Sequence, residues 1–339
     1  MNPKRRIVPV FVPHLGCRNE CVFCNQRVIS GAVNAAGAGD VRAAVDTARE
    51  LIVDGEGAEI AFYGGSFTAI PEAEQIELLE AAQPFLALGS KNAIRVSTRP
   101  DCLDGTTVAR LKSYGVATVE LGAQSMCDDV LLMSRRGHTA FDVARAAGII
   151  KGAGLKLVLQ MMTGLPGDSR EKSLFTAKRF IELAPDGVRI YPTVVVRGTE
   201  LYNMWRRGQY NEHTVDYAAD LCAEICLLFE KAAIPIIRLG LNPNEDLSAG
   251  SAVAGAYHPA FGELVYSKVY YNKAAHLLRE IQPGSAVTIG VARGRVSMMT
   301  GHKRCNTVAL MREYSLRSLK VVETDATPGE MVIKCVMHN

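Results

Sequence analysis

One pattern constrains this chain more than any other: short apolar runs alternate with helix-like segments. The runs RIVPVFV, EIAFYG, AIRVST, ATVELG, KLVLQMM and GVRIYP recur through the first two-thirds of the sequence, separated by segments such as DVRAAVDTARELIVDG and AEQIELLEAAQPFLALG. Strands that alternate with helices predict a parallel sheet joined by crossover helices. The fold class expected is α/β: a partial (β/α)6-type, TIM-like barrel, to which a further run, IPIIRLGL, offers another strand. The carboxyl ends of these runs share a second pattern. They lead into a cysteine-bearing loop, GGSFT (Gly64–Thr68), STRPD (Ser97–Asp101), ELGAQS (Glu120–Ser125), TGLPG (Thr163–Gly167) and RIYPT (Arg189–Thr193). In parallel β/α folds that rim is where active sites are built.

The loop after the first run, HLGCRNECVFCNQ, sets Cys17, Cys21 and Cys24 at spacings of four and three. The chain holds 9 cysteines, an odd number, and shows neither a secretory leader nor an apolar run long enough to cross a membrane. Metal or redox chemistry therefore explains a cysteine cluster better than a disulfide framework does. A cytoplasmic protein is expected, and the formal charge of +3 does not dictate a partner. Cys222 and Cys226, in DLCAEICLLF, read as a buried helix face. Three thiolates on a short loop suit zinc or an iron–sulfur cluster. Zinc needs a fourth ligand, for which His14 is near in sequence. A four-iron cluster on three cysteines leaves one iron open to a cofactor or substrate.

The motif CRNECVFC resembles the signature of the radical S-adenosylmethionine (SAM) superfamily, with Phe23 as the aromatic before the last cysteine. YGGSFT, STRPD, ELGAQS, RRGH and TGLPG together resemble the Elongator catalytic-subunit branch of that superfamily, over roughly residues 5 to 280. The resemblance implies one four-iron four-sulfur cluster on Cys17, Cys21 and Cys24. It implies SAM held near Gly64, Gly65, Ser66, Ser97, Gln124, Arg136 and Gln160. It also implies reductive cleavage of SAM to a 5′-deoxyadenosyl radical, hydrogen abstraction from a substrate, and a one-electron reductant such as flavodoxin or ferredoxin. Arg suits the cofactor carboxylate as a bidentate fork, and amides or hydroxyls suit its ribose.

GAYHPAFGELVYSKVYY supplies Tyr257 and His258 as candidate substrate-handling residues, with a proton or hydrogen passed by either. Two domains are expected, residues 1–280 as the barrel and 281–339 as a small basic α+β region reading strand (SAVTIGVA), strand (RVSMM), helix (NTVALMREY), strand (LKVVET) and strand (MVIKCV). From Gly284 to Lys320 it carries seven Lys/Arg against one Glu. Such a surface is a solvated basic face or a docking face for RNA. The Elongator subunit continues into an acetyltransferase domain, for which this sequence shows no acetyl-coenzyme A loop. The substrate stays open at this point, with an RNA-binding or tRNA-modifying radical SAM protein and a non-catalytic iron–sulfur or cofactor-binding protein as the alternatives.

Overall fold

The computed structural model describes residues 6–12, 21–25, 36–51, 57–241, 250–327 and 329–337. The expected alternation is present. Strands β1 (Arg6–Phe11), β2 (Ala58–Tyr63), β3 (Ala93–Thr98), β4 (Val116–Gln124), β5 (Lys156–Thr163) and β6 (Gly187–Pro192) are followed by β7 (Val194–Val196) and β8 (Ile236–Leu239). Seven of them form one parallel sheet in the order β1-β2-β3-β4-β5-β6-β8. β1 and β8 are its two outer strands and do not pair, so the sheet is an open barrel rather than a closed one. The run IPIIRLGL supplies β8.

Helices α1 (Ala38–Leu51), α2 (Glu72–Ala81), α3 (Gly105–Ser113), α4 (Asp128–Met133), α5 (Ala140–Gly152) and α6 (Arg170–Leu183) cross between these strands. The starts of three of them are marked by side chains that accept from free backbone N–H groups. Asp104 caps α3, Thr139 and Asp142 form a capping box on α5, and Ser169 caps α6. Phe62, Leu121, Leu159 and Ile190 are buried on the helix-covered side of the sheet. The opposite set, Glu59, Tyr63, Arg95, Glu120, Gln160 and Arg189, occupies alternate strand positions and turns inward.

The chain divides into two compact units, residues 1–214 with 228–259, and residues 215–227 with 260–339. The sequence sets its boundary at residue 280, whereas the second unit also takes α9 (Phe261–Leu278) and most of α8 (Val215–Lys231), which follows α7 (Glu200–Arg206). In the first unit, β9 (Ala252–Gly255) pairs antiparallel with β7. In the second, β10 (Ala286–Ala292) pairs parallel with β11 (Ser318–Thr324) and antiparallel with β12 (Met331–Met337). Val287, Ile289 and Val291 pack with Tyr270, Ala274 and Leu278 of α9 and with Leu310 of α11 (Cys305–Glu313), the last helix, which follows α10 (Val296–Thr300).

RVSMM is expected as a strand and folds instead as α10. Helical spacing of three turns Val296 and Met299 toward the same core, where Met299 is fully buried. Cys222 and Cys226 are buried on α8 as expected. Among the described residues no helix is long and apolar enough to cross a membrane.

Candidate active site at the carboxyl ends of the strands

A cavity of about 530 Å³ opens inside the first unit at the carboxyl ends of the strands. Cys21, Cys24, Gly64, Gly65, Ser66, Ser97, Gln124, Arg136 and Gln160 all line it. Cys17 lies outside the described residues, as does His14. Among the described residues alone, no three His, Cys, Asp or Glu side chains gather as a metal site.

The cysteine segment is held from both sides. Val22 N–H donates to the Ser134 carbonyl at 3.2 Å, and Leu201 N–H donates to the Val22 carbonyl at 2.6 Å. Cys24 N–H closes a turn on the Cys21 carbonyl at 3.0 Å. Val22 is buried with Val195, Leu201 and Tyr210, and Phe23 packs beside them. Cys21 is thereby fixed at the cavity wall, where Arg136 Nη1 donates to its Sγ at 3.0 Å. Arg136 Nη2 donates to the Gly122 carbonyl at 2.6 Å, and the guanidinium sits 6.0 Å from the Phe23 ring centroid. Arg135, with φ of 54°, makes the left-handed step that turns Arg136 inward while remaining exposed itself.

Around this pair the strand ends are tied together by short polar side chains. Ser66 Oγ lies 2.8 Å from Thr98 Oγ1 and accepts from Arg99 N–H at 3.1 Å, which joins the ends of β2 and β3. Gly64 has φ of 98°, and a Cβ there would sit 3.4 Å from the Val12 carbonyl. A side chain would therefore be strained and would narrow the backbone's approach to the cavity. Gln124 is buried, has φ of 66°, and its Oε1 meets no donor among the described residues. A buried acceptor beside a cavity can take a donor from a bound ligand. His138, of the RRGH motif, sets its Nε2 3.2 Å from the Ala123 carbonyl. Burial, with Arg136 nearby, pushes the imidazole down to about 4, so it is neutral at physiological pH.

Tyr257 and His258 follow β9 and are half-buried. Tyr257 packs on Val194 and Val196, and neither Tyr257 nor His258 lines the cavity. Arg197 holds its own loop in place: its N–H donates to the Ser251 carbonyl at 2.9 Å, and its guanidinium lies 6.0 Å from the Tyr202 ring.

Sequence reasoning missed the floor of the cavity. Arg95 donates to Glu59 through Nε at 2.8 Å and to Glu120 through Nη1 at 2.7 Å. Arg189 Nη2 donates to Glu120 at 2.9 Å and to Tyr63 Oη at 2.8 Å. Two carboxylates and two guanidiniums leave this network without formal net charge. Burial, reinforced by Glu120, pushes the Tyr63 phenol well above its usual range. Burial opposes the charge on Arg189, but Glu120, Tyr191 and Tyr63 together outweigh it and hold the guanidinium charged. The available signal was a charge at an inward position of each otherwise apolar strand.

The Radical SAM superfamily model matches residues 11–179, and the Radical_SAM C-terminal domain model matches residues 185–271. The chain belongs to the radical SAM superfamily. Within it, the likeness is to the Elongator complex protein 3 branch. The chain is 33% identical over 180 residues to the tRNA uridine(34) acetyltransferase of Methanocaldococcus infernus, an overlap of 51% of this chain and 32% of that one. It is 37% identical over 138 residues to Elongator complex protein 3 of Saccharomyces cerevisiae, covering 40% of this chain and 25% of that one. The chain thus spans about a third or less of the length of these two relatives. The solved structure of the archaeal Methanocaldococcus infernus Elp3 with an N-terminal deletion superposes with a TM-score of 0.60 at 25% identity, covering 79% of this chain and 67% of that one.

Proposed function

We propose that the protein is a radical SAM enzyme acting on RNA, with tRNA as the substrate class. Cys17, Cys21 and Cys24 hold a four-iron four-sulfur cluster; Gly64, Gly65, Ser66, Ser97, Gln124, Arg136 and Gln160 face SAM. The observation that carries the reading is the convergence on one cavity of Cys21, Cys24 and every one of these SAM-facing candidates. The residues fit the cofactors. The Arg136 guanidinium stands against Cys21 Sγ, where its Nη1 donates at 3.0 Å and fixes the direction of one of the proposed iron ligands. Gln124 Oε1 offers an unused acceptor, and Gly64 leaves room for a backbone approach.

Bound together, the cluster and SAM supply a 5′-deoxyadenosyl radical by one-electron reductive cleavage, the electron coming from a donor such as flavodoxin or ferredoxin. The chain's own share is orientation and exclusion of water. Arg136 keeps the cysteine segment in register with β4. Phe11, Met162, Val194 and Val196 keep the wall apolar. RNA is supported by relatives whose names carry tRNA uridine(34), and by the basic stretch Gly284–Lys320 in the second unit. There Lys303 and Arg304 are exposed and both adopt left-handed backbone, φ of 49° and 63°.

The test is product analysis. Anaerobically reconstituted protein, dithionite and SAM are incubated with unmodified total tRNA, which is then digested to nucleosides for mass spectrometry. A nucleoside mass shift, or deuterium carried from labelled tRNA into 5′-deoxyadenosine, is expected. Active SAM cleavage with tRNA unaltered and unlabelled product removes RNA as the substrate.

A further inference from the structure

A cluster on the cysteine segment takes its electron from outside the protein. Electron transfer weakens steeply with distance, so a donor has to dock where that segment comes nearest the surface. Two backbone hydrogen bonds mark the place. The Ser134 carbonyl accepts from Val22 N–H at 3.2 Å, and the Val22 carbonyl accepts from Leu201 N–H at 2.6 Å. Val22 follows Cys21 in the chain. One hydrogen bond and a few covalent bonds therefore separate a proposed iron ligand from the turn after α4 on one side and from the start of α7 on the other.

Leu132 and Met133, at the end of α4, are 79% and 50% exposed. Phe141, 74% exposed, stands beside the same helix: Ala140 N–H donates to Asp128 at 2.7 Å, and Leu132 is one turn beyond Asp128 on α4. Large apolar side chains left in water together mark a contact surface. Its border is basic. The stretches 134–137 and 196–207, which hold the cysteine segment, carry five arginines and one glutamate. Arg136 is buried against Cys21, whereas Arg135, Arg197, Arg206 and Arg207 are exposed. Arg197 flanks the far end of the segment, where Asn25 Nδ2 donates to its carbonyl at 3.4 Å. Glu200 pairs with Arg207 at 2.8 Å, and among the described residues Arg135, Arg197 and Arg206 form no ion pair. The acids of α4 are engaged, Asp128 on Ala140 N–H and Asp129 on Lys172.

An apolar centre with a charged rim has the form of a protein interface, and the positive sign of the rim calls for an acidic partner. We infer that this face receives the electron carrier: a small acidic one-electron carrier protein seats on Leu132, Met133 and Phe141, with its carboxylates on Arg135, Arg197 and Arg206. Transient redox pairs bury less than about 1,200 Å², so a face of this extent suffices. One electron leaves the reduced carrier and enters the cluster, and no bond or proton is exchanged here. The inference rests on the cluster proposed above and adds the surface through which it is reduced.

The test uses the full chain with its cluster reconstituted anaerobically and tRNA present. 5′-Deoxyadenosine formed from SAM is measured by mass spectrometry with limiting reduced flavodoxin or reduced ferredoxin as the electron source, and in parallel with excess dithionite. Leu132→Glu and Arg206→Glu are the variants. Lys156→Glu makes the same change of charge at the opposite, amino end of β5 and is the control. Carrier-driven product is expected to fall at least about fivefold in each variant, to stay native in the control and to weaken as salt is raised. Dithionite-driven product stays at the native level in all of them. Carrier-driven rates that match the native chain overturn the inference, as does a native chain that dithionite drives and neither carrier drives. A loss shared by the dithionite arm also overturns it, and with weakened tRNA affinity in filter binding it assigns the face to RNA. A native chain that yields no product even with dithionite removes the cluster reading, and the inference with it.

Discussion

Arg136 donates to Cys21 Sγ through one terminal nitrogen and to the Gly122 carbonyl through the other, so one planar group ties the cysteine segment to β4. Arg136→Lys keeps the charge and gives up the fork. We expect a native circular dichroism spectrum and at least about a tenfold loss of reductive SAM cleavage, since a single lysine nitrogen replaces two directed bonds. His138 makes a separate prediction about pH. Folded, it is held at about 4; unfolded, it takes its proton near 6.5. Between those values the unfolded chain binds more protons, so acidification favours unfolding. The stability contribution is fully present above pH 6.5, falls as pH drops toward about 4, and is constant below. Its size is on the order of 3 kcal/mol. Denaturant titrations at about pH 7 and about pH 4.5 bracket most of that window, and His138→Asn should lack most of the slope.

At the scale of elements, the turn after β5 depends on Asp168. Its carboxylate accepts from Gly164 N–H at 2.7 Å, Ser169 N–H at 2.8 Å and Ser173 Oγ at 2.7 Å. Burial raises its pKa even against those three donors. Asp168→Ala leaves them without an acceptor and should cost about 2–4 kcal/mol by urea denaturation. In the second unit, Asn306 Nδ2 anchors the start of α11 to the Ser267 carbonyl at 2.9 Å. The sequence offered a strand end at TGLPG and a helix at NTVALMREY but not these anchors, because side-chain partners are not written in composition or spacing. RVSMM shows the same limit. Its Val and Met suit a strand, and only the core beneath it makes helical spacing the better burial.

Over the whole molecule, the rim was legible because each strand announces its carboxyl end with Gly, Pro or a polar residue. The floor was not. Alternation shows that Glu59, Arg95, Glu120 and Arg189 turn inward, but their pairing depends on how far the sheet curls, which brings β6 against β4 and β2. Glu120→Gln removes the carboxylate shared by two buried guanidiniums and should destabilise the fold by about 3–5 kcal/mol in denaturant titration. The second unit makes its own prediction. Lys303→Gln with Arg304→Gln should flatten the salt dependence of tRNA binding by about one to two units of log–log slope, about one for each phosphate no longer neutralised.

The central claim is that the three cysteines support radical chemistry in this cavity. Anaerobic reconstitution with iron and sulfide, followed by dithionite and SAM, tests it through 5′-deoxyadenosine measured by mass spectrometry beside a Cys17/Cys21/Cys24→Ala variant. Product from the native chain and none from the variant is the predicted result. A verified four-iron cluster that yields no 5′-deoxyadenosine, with or without tRNA, would contradict it.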